Sequence, residues 1–234
     1  MRIRWVRKFF DTINTQDGRQ HFTGVRLMRL TKPCTNPKHL AHIVCVDAMH
    51  FINRTDDGFC DYELQAGDIV VMRRHELEMD YRYRQVLPVL VFTHEGKVWA
   101  YKRTEKGGEK GLHNQVAVAV GGHFDLADLV FEKSVIDAEA SVAKAVAREI
   151  DEEVTLNGAA VVNTRRLDKV VAADVTGVDA KHIAMVTIVE LDKPLVESNE
   201  EELETMGFLT PRELLDGDYH LETWAEIICK LLDK

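Results

Sequence analysis

The sequence predicts an α/β domain over residues 79–234, preceded by a mainly β extension over residues 1–78. Three observations carry this expectation. Apolar, β-branched runs of strand length recur between residues 86 and 120, separated by turn-forming residues. A helical pattern with carboxylates beside apolar positions follows, centred on Arg148-Glu149-Ile150-Asp151-Glu152-Glu153. The chain then returns to strand-like runs and ends on an amphipathic segment, about Leu221 to Leu232, presenting Trp224, Ile227, Ile228 and Leu231.

At 234 residues the chain can bury one large core, or a core plus an extension. Its 45% hydrophobic and 29% charged content is that of a soluble globular protein. A net charge of −9 excludes the dominant basic field of a general nucleic-acid binder, though not a small basic pocket for one nucleotide. Cys34, Cys45, Cys60 and Cys229 contain no C-x-x-C pair and are too few for a disulfide framework, so reduced thiols and a cytoplasmic setting are expected. No run approaches the 18 or more apolar residues of a membrane span, and no membrane association is expected. The basic start, Met1 to Phe10, meets Asp11 before any long apolar region and does not read as a secretory signal.

Within residues 1–78, Gly24 to Leu30 suits a strand or short helix. His42-Ile43-Val44-Cys45-Val46 and Asp68-Ile69-Val70-Val71-Met72 suit strands, the second introduced by the turn-like Ala66-Gly67. Cys34, His39, His42 and Cys45 are zinc-binding residue types in a C-x4-H-x2-H-x2-C arrangement. That spacing matches no common zinc module, and Cys45 sits in an apolar run, so a buried thiol with surface histidines is the better account.

Val86 to Phe92 reads as a buried strand, His94-Glu95-Gly96-Lys97 as a turn, and Val98 to Tyr101 as the returning strand. The loop from Lys102 to Gly111 carries four basic residues and three glycines, which suits either phosphate contact or simple solvation. Asn114 to Val120 is the next expected strand, ending at Gly121-Gly122-His123, where paired glycines permit positive φ and close backbone approach. The helix is expected from about Ser134, with Ser134 to Asp137 as its N-cap arrangement.

At about 100° per residue, Glu149, Glu152 and Glu153 fall within roughly a third of the helix circumference. They border an apolar arc formed by Ala143, Val146, Ala147, Ile150 and Val154. No lysine lies four residues beyond Glu149 to relieve their repulsion. Such crowding fits a hard divalent cation, Mg²⁺ or Mn²⁺, although from the helix alone a solvated acidic face is the better account.

Strand, Gly-Gly, loop, then helix with Arg-Glu-Ile-Asp-Glu-Glu resembles the Nudix hydrolases. Their box runs Gly, five residues, Glu, seven residues, Arg-Glu, aliphatic, any, Glu-Glu, any, Gly, aliphatic. Arg148, Glu149, Ile150, Glu152, Glu153 and Leu156 match it. The flanks Gln85 to Pro88, Tyr101 to Arg103, Gly107 to Glu109, Leu112-His113 and Gly121 to His123 are similar to one subfamily known only as predicted phosphoesterases, over roughly residues 70 to 232. The chain departs from the box in three ways. The stretch from Gly122 to Arg148 is longer, implying an insertion around Asp125 to Asp137. Ala140 stands where the box has its first glutamate, which in the family mainly pairs with the box arginine and braces the loop. Thr155 replaces the glycine that ends the helix, leaving Gly158 as a later C-cap.

The resemblance implies an α/β/α sandwich with a mixed sheet. It also implies a metal-dependent hydrolase of phosphoanhydride bonds in nucleoside diphosphate-linked or nucleoside triphosphate substrates. Glu149, Glu152 and Glu153 would be the catalytic metal ligands for Mg²⁺ or Mn²⁺, joined by one acid of the 200–204 run, Glu201 or Glu202 among them. Gly121 and Gly122 would shape the loop, Arg103 and Lys102 would contact phosphate, and Arg148 would orient the carboxylates; His123 is a candidate substrate contact, with a hydrogen-bonded loop histidine the better account. Further strands are expected at Val161-Val162 and Ile183 to Leu191, and Met206 to Leu215 resembles the strand-to-helix segment that closes the fold. Ala140, Thr155 and the insertion also allow a non-catalytic nucleotide sensor or interaction module. A homodimer, the commonest assembly, is left open.

Overall fold

The structure, a computed structural model, describes residues 37–52, 58–106 and 110–233. The expected element at residues 24–30, Cys34 and Gly107 to Glu109 lie outside the described residues.

A short helix, α1 (Pro37–Leu40), leads into β1 (His42–Asp47), whose four central residues are buried. β2 (Phe59–Asp61), β3 (Val70–Arg73) and α2 (Arg74–Leu77) follow. β4 (Tyr83–His94) and β5 (Lys97–Arg103) form the expected hairpin. Its turn places Glu95 at φ 47° and Gly96 at φ 76°, the paired left-handed residues of a two-residue turn matched to strand twist.

The expected single strand over 114–120 is instead two short ones, β6 (Val116–Ala117) and β7 (Val120–Gly121). β4 and β5 pair only at Thr93–Val98 and His94–Lys97, beside their turn. Further from the turn this segment lies between them. β6 pairs with β5, and β7 pairs with β4 at Val89–Gly121 and Leu90–Val120. Residues 118–119 cross from one partner to the other, which divides the strand.

The insertion forms a hairpin, β8 (Val130–Glu132) and β9 (Val135–Asp137). Its turn takes Lys133 and Ser134, at φ 47° and 71°. Ser134 is therefore not a helix cap. The helix α3 (Ala138–Glu153) is capped by Asp137, whose side chain accepts from the Ala140 N–H at 2.9 Å. The buried face of α3 also differs from expectation. Ser141, Val142, Ala145 and Glu149 are buried, whereas Ala143 and Ala147 are exposed. Glu149 lies inside the buried stripe rather than at its border.

After α3 the chain turns directly into β10 (Val154–Thr155). Gly158 does not cap the helix; it belongs to a turn closed by the Ala159 N–H on the Leu156 carbonyl at 2.8 Å. β11 (Val161–Val171), β12 (His182–Leu191), β13 (Glu197–Ser198) and β14 (Leu203–Leu209) complete the strands. α4 (Pro211–Asp216) starts at a Thr210/Glu213 capping box with proline in its first turn, and α5 (Thr223–Leu232) ends the described chain.

The main sheet runs β14-β5-β4-β12-β11-β2, with β1, β3, β6 and β7 attached. β4 and β12 are parallel and the other pairs antiparallel, so the sheet is mixed. β1 pairs with β4 at Cys45–Gln85 and with β3 at Val44–Val71, so strands from residues 42–73 share this sheet.

Strand alternation assigns the two faces. Val89 and Val91 of β4, Val98 and Ala100 of β5, and Ala184, Val186 and Ile188 of β12 pack with Leu214 of α4 and Ala225, Ile228 and Cys229 of α5. Leu90, Phe92, Trp99, Tyr101 and Val189 face the other way, where Val146 and Ile150 of α3 pack. Val86 and Ile183 on that face meet Val142 and Ala145. The result is a helix–sheet–helix sandwich, with α3 held rigidly along one face. Burying each large apolar side chain contributes roughly 1.5–3 kcal/mol, so α3 is anchored well beyond its own helix propensity.

Candidate active site

The site grows from the contact between the Gly121-Gly122-His123 turn and α3. Gly121 has φ 155°, and a Cβ there would lie 2.3 Å from the Pro88 carbonyl oxygen. Only glycine lets β7 leave β4 at this point. A Cβ on Gly122 would lie 2.8 Å from Glu149 Oε1 and 3.0 Å from Oε2. The missing side chain at Gly122 therefore lets the Glu149 carboxylate lie directly against the loop backbone.

Arg148 organises this region. Its Nη1 donates to Glu149 Oε1 and to Glu152 Oε2, both at 2.8 Å. Its Nη2 donates to the His123 carbonyl at 2.9 Å and to Asp128 Oδ2 at 2.8 Å, while Nε donates to Asp128 Oδ1 at 3.0 Å. A guanidinium has five N–H donors, and these five bonds use all of them. The expected role of Arg148, orienting the carboxylates, is what its geometry performs.

Asp128 answers the Ala140 departure. It is 1% exposed, grips Arg148 bidentately, and also accepts from the Asp125 N–H at 3.0 Å. An aspartate from the insertion thus pairs with the arginine that the box glutamate would otherwise hold. The insertion is fastened to α3 by Lys144 Nζ on the Ala127 carbonyl at 2.7 Å and by the Val130 N–H on Ser141 Oγ at 2.8 Å.

Burial pushes the Glu149 carboxyl up to about 7, against the opposing pull of Arg148. Burial, then repulsion from Glu200, Glu149 and Glu152, lifts Glu153 to about 7 as well. Of the 200–204 acids, Glu200 thus acts most strongly on Glu153, and Asn199 explains why. Its backbone N–H reaches the Glu153 carbonyl at 2.8 Å and its Nδ2 the Glu152 carbonyl at 3.1 Å. These bonds satisfy two orphan carbonyls at the end of α3 and bring the following residue to the helix. Glu200 and Glu202 line the adjacent cavity; Glu201 is exposed and does not. Thr155, in place of the box glycine, donates its hydroxyl to Asn199 Oδ1 at 2.6 Å.

That cavity has a volume of about 640 Å³ and runs past Gly121, Gly122 and His123. Leu87, Leu112, Leu203 and Trp224 form its apolar wall. His123 donates from Nε2 to Gln85 Oε1 at 2.9 Å, and its ring lies edge-on to His182 at 5.9 Å. Burial, then the charges of Arg74, His182 and Arg148, hold its pKa down at about 3, so it is neutral at pH 7. Arg103 lines the cavity, but its Nε donates to Glu222, and its guanidinium lies 5.7 Å from the Tyr101 ring centroid. Lys102 alternates to the other side of β5 and does not line the cavity.

The comparisons follow this geometry. No protein-family model matches the sequence. Protein YmaB of Bacillus subtilis is 30% identical over 173 residues, covering 69% of this chain and 77% of that protein. The crystal structure of Tm1382, a candidate Nudix hydrolase, matches with a TM-score of 0.63 at 20% identity, covering 82% of this chain and 97% of that one. The chain belongs to the same family as YmaB, and its fold is that of the Nudix hydrolases. The Nudix sandwich, with its mixed sheet and box helix, is the fold anticipated from the box residues. Asp128, Asn199 and Glu222 take part in this candidate site without a signal at fixed spacing. The nearest hint was the pair Asp125 and Asp128, spaced like a capping box within the insertion.

No three of the described His, Cys, Asp and Glu side chains form a ready-made metal-binding group. Glu149 and Glu152 turn to Arg148 instead. The donor chemistry of Glu149, Glu152 and Glu153 nevertheless fits a hard divalent cation, being carboxylate oxygen throughout, with no side chain at Gly122 to crowd Glu149. Of the zinc-type constellation, Cys45 is buried and directs its thiol to the Val70 carbonyl at 3.4 Å, and His39 lies 3.4 Å from Glu78. No described helix is long and apolar enough to cross a membrane.

Proposed function

We propose that this protein is a metal-dependent hydrolase of phosphoanhydride bonds in nucleoside diphosphate-linked or nucleoside triphosphate substrates. The observation that carries the proposal is the Arg148 hub, which holds Glu149 and Glu152, with Glu149 packed against Gly122, a residue that lines a 640 Å³ cavity. Glu149, Glu152 and Glu153 would hold Mg²⁺ or Mn²⁺, with Glu200 the best-placed acid of the 200–204 run. A bound divalent ion supplies charge neutralisation and a more acidic water. The chain's own residues position and exclude. Gly121 and Gly122 let the loop backbone approach β4 and the Glu149 carboxylate of α3, the Arg148–Asp128 pair holds that helix face in register with the loop, and the Leu87, Leu112, Leu203 and Trp224 wall covers the less polar part of a nucleotide. Phosphoryl transfer rests mainly on such positioning and charge neutralisation.

One observation favours a second reading, a nucleotide sensor without turnover. Glu149 and Glu152 are both engaged by Arg148, so neither acid requires a cation for a partner. Product release from a panel of nucleoside triphosphates, nucleotide sugars, ADP-ribose and dinucleoside polyphosphates, with Mg²⁺ or Mn²⁺, separates the two. Release of a phosphate-bearing product supports the hydrolase. Thermal stabilisation by a panel compound that is never cleaved supports the sensor.

A further inference from the structure

We propose that Arg74, from the segment before the Nudix domain proper, is the residue that binds a phosphate group of the substrate in this cavity. The inference rests on the hydrolase reading for its substrate and on Arg74's own geometry for its site. Two guanidinium groups line the cavity among the described residues, Arg74 and Arg103. Arg103 is already held by Glu222 and by the Tyr101 ring. Arg74 is not held in that way. Its guanidinium makes no hydrogen bond to any described residue; its buried Nε forms only an ion pair with Glu78 Oε1 at 3.4 Å, while the side chain as a whole is 27% exposed. A buried guanidinium N–H that lacks a hydrogen bond is only partly compensated by an ion pair at this distance, which leaves its donors available to an anion.

The position of Arg74 is set by backbone. Its N–H donates to the Ala41 carbonyl at 3.0 Å, and its own carbonyl accepts from the Glu78 N–H at 3.0 Å. β3 and β1 carry it to the sheet edge beside β4, so its side chain shares one cavity wall with Gly121, Gly122 and His123. It also lines an adjoining cavity of about 490 Å³, together with His39, Lys181 and His182. In the adjoining cavity the charged neighbours are Glu78 and Lys181, and the larger cavity also carries Glu200, Glu202, Glu222 and Asp179, the last occupied in capping the Thr176 N–H at 3.0 Å and hydroxyl at 2.8 Å. A planar fork of N–H donors matches two oxygens of one phosphate, and lysine cannot reproduce that match. Arg74 therefore supplies the cationic contact that the resemblance placed at Arg103 and Lys102, and it ties residues before position 79 to substrate binding.

The test is calorimetric titration of inorganic pyrophosphate, with Mg²⁺ present, into the full chain and its Arg74→Gln and Arg74→Lys variants, with melting temperatures recorded for each. The expected result is a dissociation constant raised about 10- to 100-fold in Arg74→Gln, the worth of a charged hydrogen-bonded contact. Arg74→Lys is expected to weaken binding at least about threefold because the fork is lost. If Arg74→Gln also melts lower, Arg74→Lys decides, since it keeps the charge and the stem. Pyrophosphate that fails to bind the native chain, or that binds either variant within twofold of native, overturns the assignment. Hydrolysis of the nucleotide panel is scored separately. An intact hydrolase indifferent to Arg74 sinks this inference alone, whereas Arg74-dependent binding without any hydrolysis sinks the hydrolase reading alone.

Discussion

Replacing Asp128 with asparagine removes one charge from the centre of the site while preserving shape. The carboxylate is 1% exposed and accepts two bonds from Arg148, at 3.0 and 2.8 Å, plus one from the Asp125 N–H at 3.0 Å. A charged hydrogen bond is worth roughly 1.5–3 kcal/mol, and breaking a buried pair from one side costs about 3–5 kcal/mol. Two facts reduce that figure. The Arg148 side chain is 25% exposed, so water reaches it, and its bonds to Glu149, Glu152 and the His123 carbonyl persist. The expected loss is therefore about 2–3 kcal/mol, or a drop of about 4–12 °C in melting temperature for a unit of this size. Urea unfolding of native, Asp128→Asn, Arg148→Lys and the double variant measures it. The two single losses are expected to exceed additivity, with a coupling of at least about 1 kcal/mol. Asp128→Asn within about 0.5 kcal/mol of native would refute the claim that the insertion braces the box arginine.

Three further outcomes follow from the same geometry. Gly121→Ala is expected to cost at least about 2 kcal/mol, because φ 155° and a 2.3 Å approach to the Pro88 carbonyl leave backbone nowhere to move; a fully stable variant in thermal unfolding would contradict this. Gly122→Ala meets only the flexible end of Glu149 at 2.8 Å, so stability should fall by less than about 1 kcal/mol while turnover falls tenfold or more as the carboxylate is displaced. Retained turnover would show that Glu149 tolerates displacement. Glu149 and Glu153, lifted by burial to about 7 from ordinary values near 4.5, bind protons in the folded state that the unfolded chain has released. Their contribution to stability is thus fully present below about pH 4.5 and is lost as pH rises through about 7. Added Mg²⁺ should accordingly raise the melting temperature more at pH 8 than at pH 5.5, and an equal or opposite shift would count against carboxylate ligation.

Much of the fold was legible because its signals are local. The β4–β5 hairpin follows from two apolar runs around Glu95-Gly96, and the box helix from the spacing of Arg148, Glu149, Glu152 and Glu153. What stayed hidden depends on partners distant in sequence. Asp128 stands 20 residues before Arg148, with a hairpin between them, so no helical spacing joins the two. Glu222 reaches Arg103 across 119 residues and removes it from the free cations of the cavity. The division of 114–120 into β6 and β7 follows from the separation of β4 and β5 below their turn, a tertiary event without a composition signature. Burial of Glu149 was misjudged because a carboxylate reads as a surface residue, and the Arg148 bond that permits its burial becomes visible only in three dimensions.

The most direct test of the central claim is turnover of the nucleotide panel by native protein and by Glu153→Gln, each with Mg²⁺, with Mn²⁺, and after removal of divalent ions by chelation. The account predicts cleavage at a phosphoanhydride bond that requires the divalent ion and that falls at least about a hundredfold in Glu153→Gln while the fold is retained. Cleavage that persists without divalent ions, or that Glu153→Gln leaves at the native rate, would contradict it.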